Sequence, residues 1–433
     1  MRKDKETMPR PSIRLLAIAA ALCVPAWAGA QLALPGGDLR GGIGGGLRDT
    51  VPDLIDTVGG TLPLDQLERL SPARLAENLL AVRTDRLASL VRRNSDSIAF
   101  DDRGQPAVRD TILVMGAGAA ALEALRKAGY DPQAERIEGL DLPLTRLTVP
   151  RGQPLARAIK SVRKLAPGAE VSGDSLYFPS GAAPSASGAS LASRPGSSSG
   201  ALGLIDGGVA AIASLGGPIE QKGFARGAPV PSTHGTAVAS LLTGSGPIRG
   251  PAPGAPLLVA DVYGGDPAGG NALALARALG WMASRGVRIV TMSLVGPPNP
   301  VLNGAVRAAQ GKGVTIVAAV GNDGPAAPPA YPASWPGVIA VTGVDGRDRA
   351  LLEAGKSLHL DFAAPGADMF AADMKGNAAR VRGTSFAAPL VAARLHGAGS
   401  LSALSREARD LGKKGPDATY GRGLICGSCR NNR

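Results

Sequence analysis

Aromatic residues, cysteine and histidine are all scarce in this chain of 433 residues. Because aromatic side chains make up only 3% of it, the hydrophobic core must be built mainly from Ala, Val, Leu and Ile. The formal net charge is +12, but the basic residues are scattered and no aromatic residues are interleaved with them, which argues against a nucleic-acid-binding surface. Beyond residue 30, no apolar run is long enough to span a membrane.

Two of the three cysteines, Cys426 and Cys429, form a Cys-Gly-Ser-Cys motif near the end of the chain. A redox motif of this spacing needs a strand-to-helix context, and a metal site needs further ligands nearby. The tail offers neither. We therefore predict a small local disulfide in an oxidising compartment.

Residues 1–30 have the form of a secretory signal peptide. A basic stretch is followed by the apolar run 15–24 and by small residues with the A-x-A spacing of a cleavage site. Leu22, before Cys23, is the wrong residue for a lipoprotein cleavage site, so no lipid anchor is expected. The sequence thus predicts export to the periplasm or the extracellular space, without a membrane anchor.

The rest of the chain divides by composition. Leucines at helical spacing predict one or two amphipathic helices over residues 64–91, divided at Ser71-Pro72. A later segment has the order β-α-β-β-α-β of a small split-βαβ, ferredoxin-like α+β domain, and it contains neither His nor Cys. The predicted segments are a Gly-rich and helical leader (31–109), the α+β unit (110–179), a Ser/Ala/Gly/Pro linker (180–200) and a large C-terminal domain (201–433).

In the large domain, continuous apolar strands alternate with helices. This pattern predicts an α/β fold with a mostly parallel sheet and helices on both faces. Function in such folds is located at the carboxyl ends of the strands, where Asp206, Ser293 and Asn322 are predicted to lie. The alternative for each residue taken alone is an ordinary turn: Asp206 precedes Gly207-Gly208, and Asn322 begins an Asn-Asp-Gly sequence.

Two further segments carry candidate reactive groups. His234, in Ser-Thr-His-Gly-Thr, opens a helix of small residues and is the candidate general base; the alternative is a capping or loop histidine. Thr384 or Ser385 is expected to cap the next helix start, which would hold the Ser385 hydroxyl at the positive end of that helix. The alternative is an ordinary capped core helix. His359 is expected in a strand-like run.

Together these residues resemble the motifs of the subtilisin-like serine peptidases (peptidase family S8) in type and chain order. After Asp206 come His234 in His-Gly-Thr-x-Val-Ala, Asn322 in Gly-Asn-x-Gly and Ser385 in Gly-Thr-Ser-x-Ala-x-Pro. The likeness covers residues 201 to about 424. It implies a secreted serine endopeptidase that acts on polypeptides and is made as a self-processing precursor.

The resemblance also implies roles for individual residues. Ser385 would attack the scissile carbonyl, His234 would take its proton, and Asp206 would orient the imidazole. The Asn322 amide and the Ser385 N–H would hold the oxyanion. The implied substrate-binding residues are Ser293, Leu294, Val295 and Gly321. The α+β unit would be a pro-region that acts as intramolecular chaperone and inhibitor, with self-cleavage between Tyr177 and Gly200.

The chain departs from the family pattern in three places. The linker runs almost directly into the Asp206 strand, so the segment that usually precedes this strand is shortened or displaced. Gly207 stands where the family usually has Thr or Ser. Val295 stands where many relatives have Gly, which predicts a preference for small side chains before the cleaved bond. We expect no cofactor; a structural calcium is left open, because no acidic loop for one is visible.

Three alternatives remain at this stage. The chain could be a catalytically impaired relative that binds peptides or acts as an interaction protein. An α/β-hydrolase esterase is disfavoured, because the Gly-x-Ser-x-Gly elbow is missing and the order is Asp, His, Ser. The third alternative is a non-catalytic binding protein in which the three residues coincide by chance.

Overall fold

The computed structural model describes residues 70–180 and 200–431. The predicted signal peptide, residues 31–69 of the predicted leader and residues 181–199 of the predicted linker lie outside the described residues. None of the helices in the described ranges is both long and apolar enough to cross a membrane.

The first described range contains a small α+β unit preceded by one helix. Its sheet is antiparallel: β2 pairs with β4 and with β5, and β4 pairs with β3. Two helices cover the sheet, through residues such as Leu125 and Ile159 packed on Ile112 and Leu147. The elements are α1 (Pro72–Arg93), β1 (Ile98–Phe100), β2 (Pro106–Met115), α2 (Ala119–Lys127), β3 (Asp131–Ile137), β4 (Leu142–Thr148), α3 (Leu155–Leu165), β5 (Glu170–Ser175) and β6 (Phe178–Pro179).

The helix α1 is a single helix that begins at the predicted Ser71-Pro72 division. The Ser71 hydroxyl accepts the backbone N–H of Arg74, and Pro72 occupies the first helical position, where its missing N–H costs nothing. The leucines at helical spacing form its buried face: Leu75, Leu79, Leu87 and Leu90.

The second described range is built on a seven-stranded sheet in which every strand pair is parallel. The sheet order is β14-β13-β12-β10-β7-β9-β8. The elements are β7 (Leu202–Asp206), β8 (Ile219–Gly223), α4 (Thr233–Thr243), β9 (Leu257–Asp261), α5 (Ala272–Ser284), β10 (Ile289–Met292), β11 (Leu294–Val295), α6 (Pro300–Gly311), β12 (Thr315–Ala319), β13 (Ile339–Val344), β14 (Phe362–Pro365), β15 (Met369–Ala372), β16 (Ala378–Val381), α7 (Ala387–Ala398) and α8 (Leu401–Glu407).

Helices cover both faces of this sheet. On one face α4 and α7 pack against alternate strand residues, for example Leu204 and Val317. On the other face α5 and α6 pack against the intervening residues, for example Ile205 and Ala318. Because both faces are covered, the inner strands are largely apolar, whereas the edge strand β8 carries Glu220, Gln221 and Lys222. The predicted α/β fold is confirmed.

The α+β unit docks on the starts of α5 and α6. The Asp174 carboxylate, at the end of β5, accepts the backbone N–H of Leu273 over 3.0 Å. Asn299 caps α6 with its side-chain oxygen, and its NH₂ donates to the carbonyl of Gly173 over 3.0 Å. Two helix N-termini, where carboxylate and amide acceptors are favoured, thus anchor the end of β5.

Burial raises the pKa of Asp174 from its ordinary 3.8 to about 7, opposed by the Leu273 N–H and Arg277. The folded protein therefore keeps a proton that the unfolded chain loses near pH 3.8. The contribution of this proton to the free energy of unfolding is fully present below about pH 4 and is lost as the pH rises through about 7.

We expect the Asp174→Asn variant to match the aspartate form in stability at about pH 4 and to exceed it at about pH 8, by up to about 4 kcal/mol. Denaturant unfolding of full-length protein measures this difference. Both forms carry Ser385→Ala, because the family resemblance implies self-cleavage by that serine. The exposed Asp110→Asn change is the control. A constant difference between variant and parent across this range would contradict a protonated Asp174.

Two local expectations need correction. His359 does not lie in a strand: residues 351–361 form an irregular loop, in which His359 Nε2 is 2.8 Å from the Val338 carbonyl oxygen. The expected helix cap at Thr384 or Ser385 is also absent. These residues form a short 3-10 turn, Thr384–Phe386, and α7 begins at Ala387 without a side-chain cap. The predicted disulfide between Cys426 and Cys429 is present.

Candidate active site

Asp206 and His234 are bonded at the carboxyl edge of the sheet. Asp206 is the last residue of β7, and His234 lies in the first turn of α4, whose start is capped by the Ser232 hydroxyl. His234 Nδ1 is 2.9 Å from Asp206 Oδ1 and 3.0 Å from Oδ2. Both side chains are buried, and the Gly207 N–H also donates to Asp206. The carboxylate thus orients the imidazole and places a proton on Nδ1.

The turn that carries Ser385 reaches this pair through Phe386, whose ring centroid is 5.5 Å from that of the imidazole, but the Ser385 hydroxyl has other partners. Ser385 sits in the 3-10 turn before α7 and is fully buried. Its Oγ donates to the Ser293 carbonyl oxygen over 3.2 Å and is 2.8 Å from Ser180 Oγ. His234 Nε2 has no hydrogen-bond partner among the residues that the structure describes. The structure therefore contains the imidazole–carboxylate bond of a triad, without a bond between serine and imidazole.

Asn322 follows β12 and points its amide toward the same place. Its Oδ1 accepts the backbone N–H of Thr384 over 3.0 Å, which fixes the orientation of the amide. The NH₂ group then donates to the carbonyl oxygen of Ser180. The Thr384 hydroxyl in turn accepts the N–H of Gly321 over 3.1 Å, so the loop and the 3-10 turn hold each other.

The end of the α+β unit lies in the cleft as an extended strand. Its β6 pairs antiparallel with β11, with Pro179 opposite Leu294 and Phe178 opposite Val295. The Ser180 N–H donates to the Ser293 carbonyl oxygen over 3.1 Å. The Ser180 carbonyl oxygen accepts two hydrogen bonds, from the Asn322 amide and, over 3.0 Å, from the Ser385 N–H.

Tyr177 anchors this strand in the protein. Its ring is fully buried, its hydroxyl donates to the Pro297 carbonyl oxygen over 2.6 Å, and its N–H donates to the Gly270 carbonyl. The ring fits because residue 296 is a glycine: a Cβ there would lie 2.5 Å from a ring atom. The pocket for the residue three positions before Ser180 is therefore shaped for a large side chain with a donor at its end.

The structure places all eight residues that the sequence singled out at this edge of the sheet: Asp206, His234, Ser293, Leu294, Val295, Gly321, Asn322 and Ser385. Among them, Val295 packs closely against Gly321. Its side chain is 9% exposed, and a Cβ at Gly321 would lie 3.3 Å from its Cγ1. Gly207 is explained by its neighbour: a Cβ there would lie 2.3 Å from the Ser232 hydroxyl oxygen, so the α4 cap occupies the space. His359 and His396 take no part in the site.

Sequence reasoning missed three residues that shape the site. The sequence places Ser180 in the linker, and the Ser/Ala/Gly/Pro composition of the linker gives no signal that this residue is buried. Thr384 was considered only as a helix cap, although it orients Asn322. Asp261 ends β9 beside Asp206 and accepts the N–H groups of Val230, Tyr263 and Gly264, which shapes the loop before α4. Burial raises the pKa of Asp261 above its ordinary value, against these three hydrogen bonds.

Residues 225–396 match the family model described as the subtilase family, a range that contains His234, Asn322 and Ser385 and begins after Asp206. Subtilisin BL of Lederbergia lenta is 34% identical over 163 residues, which are 37% of this chain and 60% of that protein. Thermitase of Thermoactinomyces vulgaris is 34% identical over 182 residues, 41% of this chain and 63% of that protein. The chain thus spans less than two thirds of the relatives' lengths.

Among solved structures, fervidolysin from Fervidobacterium pennivorans, described as a keratinolytic enzyme related to subtilisin, has a similar fold. The TM-score is 0.58 at 18% identity, and the match covers 75% of this chain and 61% of that chain. The family match, the relatives and this shared fold agree with the order of motifs along the sequence. Over residues 225–396 the chain is therefore similar to the subtilases, and it has a subtilisin-like fold.

Proposed function

We propose that this chain is a serine endopeptidase made as a self-processing precursor. One observation carries the proposal: the carbonyl oxygen of Ser180 accepts hydrogen bonds from the Ser385 N–H and the Asn322 amide. Two donors converging on one carbonyl oxygen, beside a serine hydroxyl, are the arrangement that stabilises the oxyanion of acyl transfer. The bond that follows in the chain, Ser180–Gly181, is the proposed cleavage site.

The reaction would begin with a turn of the Ser385 hydroxyl from the Ser293 carbonyl toward His234 Nε2. In the neutral imidazole that donates from Nδ1 to Asp206, Nε2 carries a lone pair that can accept the hydroxyl proton. Oγ then attacks the Ser180 carbonyl carbon, and negative charge develops on the oxygen held by Asn322 and the Ser385 N–H. When the C–N bond breaks, His234 passes the proton to the Gly181 amine, and water later hydrolyses the acyl-enzyme ester.

Residues 70–180 would then be a pro-region that occupies the cleft before and after cleavage. The strand pairing with Leu294 and Val295 and the buried Tyr177 support this role. By the same reasoning, other polypeptide substrates would bind as an extended strand in this cleft. The serine before the proposed cleaved bond is consistent with a preference for small side chains. The signal-peptide pattern of residues 1–30 supports export.

The first test is the processing of purified full-length protein. We expect wild-type protein to yield a fragment whose N-terminus is Gly181 and to react with a fluorophosphonate probe. The Ser385→Ala protein should stay intact and unlabelled, because the attacking atom is missing. Intact mass, N-terminal sequencing and probe fluorescence measure these outcomes.

The exposed Ser402→Ala change is the matched control and should behave as wild type. Processing of the Ser385→Ala protein at the same bond, in a host without other proteases, would overturn self-processing. Folded wild-type protein that neither processes nor reacts with the probe would instead support the catalytically impaired relative. The present partners of the Ser385 hydroxyl are the observation that favours this second candidate.

A further inference from the structure

The helix α1 contacts the loop that carries Asn322. Arg83 Nε donates to Asp323 Oδ2 over 3.0 Å, and Arg86 Nη2 donates to Asp323 Oδ1 over 2.8 Å. Arginines three positions apart lie on one face of a helix, so the two side chains can share one carboxylate. The side chains of all three residues are about four-fifths buried. Both carboxylate oxygens beside Asn322 are therefore bound by α1.

An apolar contact lies next to this ion pair. Gly324 has φ +85°, and a Cβ there would lie 2.7 Å from Leu79 Cδ1. Leu79, 7% exposed, thus packs directly on the backbone of the loop. The loop is contacted by one leucine and two arginines along a single helical face.

The same helix is attached to the α+β unit. Leu90 packs with Ile98 of β1, with Leu176 and with Ala268. Arg83 Nη2 also donates to Gln105 Oε1 over 3.3 Å. The helix therefore bridges the α+β unit and the loop beside the oxyanion donor, and its contacts to Asp323 and Gly324 do not involve the strand that ends at Ser180.

Between α1 and the cleft lies a cavity of about 150 Å³. Its lining includes Arg83, Arg86 and Leu87 of α1, and also Pro179, Ser180 and Val295. The helix thus closes the space beside the residue before the proposed cleaved bond. A substrate side chain that needed this space would meet α1 first.

We propose that α1 is a second inhibitory segment, which holds the cleaved pro-region on the cleft through Arg83, Arg86 and Asp323. This inference rests on the proposed function. After cleavage at Ser180–Gly181, the strand alone would compete with substrate strands for Leu294 and Val295. The α1 contact adds a separate attachment, so the pro-region leaves more slowly. Two charge pairs on one partly buried carboxylate are expected to slow dissociation by about tenfold.

The test uses full-length protein carrying Arg83→Gln and Arg86→Gln together. After processing, the delay before a reporter peptide is cleaved should shorten by about tenfold relative to wild type. A rise from low to high salt should shorten the wild-type delay and leave that of the variant nearly unchanged. The matched control is Arg92→Gln with Arg93→Gln, which removes two exposed arginines from the end of the same helix. Its delay should equal that of wild type.

A readout independent of activity uses the Ser385→Ala background. Backbone hydrogen exchange in residues 321–324 should be faster when Arg83 and Arg86 are replaced and unchanged in the Arg92/Arg93 control. If an active wild type and the Arg83/Arg86 variant show equal delays, this inference is overturned while the peptidase proposal stands. If wild type has no activity at all, the peptidase proposal fails. Equal exchange rates in the Arg83/Arg86 variant and its Ser385→Ala parent would show, independently of activity, that α1 does not hold the loop.

Discussion

The His234→Ala variant is expected to cleave its own Ser180–Gly181 bond about 10⁶-fold more slowly than wild type. In the proposed mechanism His234 contributes the atom that takes the Ser385 proton, because its Nε2 is the unbonded nitrogen of a ring whose Nδ1 is held by Asp206. Without the imidazole, the hydroxyl must attack while still protonated. A triad acts as a unit, so the loss of this member removes nearly all of its contribution.

The measurement is the first-order rate of precursor disappearance after refolding, followed by intact mass. Independence of protein concentration shows that the cleavage is intramolecular. His396→Ala is the matched control, because His396 lies on α7 away from the cluster and should process normally.

Removing the imidazole also leaves the buried Asp206 carboxylate without its main partner, which destabilises the fold by a few kcal/mol (~3). We therefore pair it with His234→Gln, which keeps a polar group at this position. If both variants are folded, as shown by unfolding curves, and either one processes within tenfold of the wild-type rate, His234 is not the base.

The second large effect is expected for Asp206→Asn, which should slow the same cleavage by about 10⁴-fold. An asparagine NH₂ facing Nδ1 favours the imidazole tautomer with its proton on Nε2. That nitrogen then faces Ser385 as a donor and cannot accept the hydroxyl proton. The change is nearly isosteric, so we expect the fold to persist.

This variant distinguishes the effect of Asp206 on the tautomer of His234 from any effect of its carboxylate on the stability of the fold. The exposed Asp368→Asn change is the control for a lost carboxylate on the same domain. Fluorophosphonate labelling should slow in parallel with self-cleavage, because both need an activated hydroxyl. Normal labelling in the Asp206→Asn protein would show that Asp206 does not set the tautomer.

Local motifs were enough to predict which residues lie at the carboxyl edge of the sheet. Asp206 and Asn322 each follow an apolar run, and parallel strands place such positions at one edge. The bond between Asp206 and His234 was implied by the family resemblance, and it agrees with the predicted sheet edge and with the predicted helix that His234 opens. The fold class followed from the same alternation of strands and helices.

The turn at Ser385 could not be predicted in the same way. A Thr-Ser pair before an apolar run favours a helix cap on local grounds. In the folded protein, the Thr384 hydroxyl instead accepts the N–H of Gly321, and the Thr384 N–H donates to Asn322, so the hydroxyl is held away from the start of α7. Contacts distant in sequence overrode a local preference.

The sequence by itself determined the α/β class, the small α+β unit and the residues at the strand ends, because apolar periodicity and short motifs depend on neighbours along the chain. Only the tertiary structure decided that Ser180 lies between Ser385 and Asn322 and that α1 binds Asp323. These contacts join residues up to 240 positions apart and depend on how two packed units meet. The sequences of a Ser-rich linker and an amphipathic helix do not indicate which surface each will contact, because any partner of matching shape and charge could bind them.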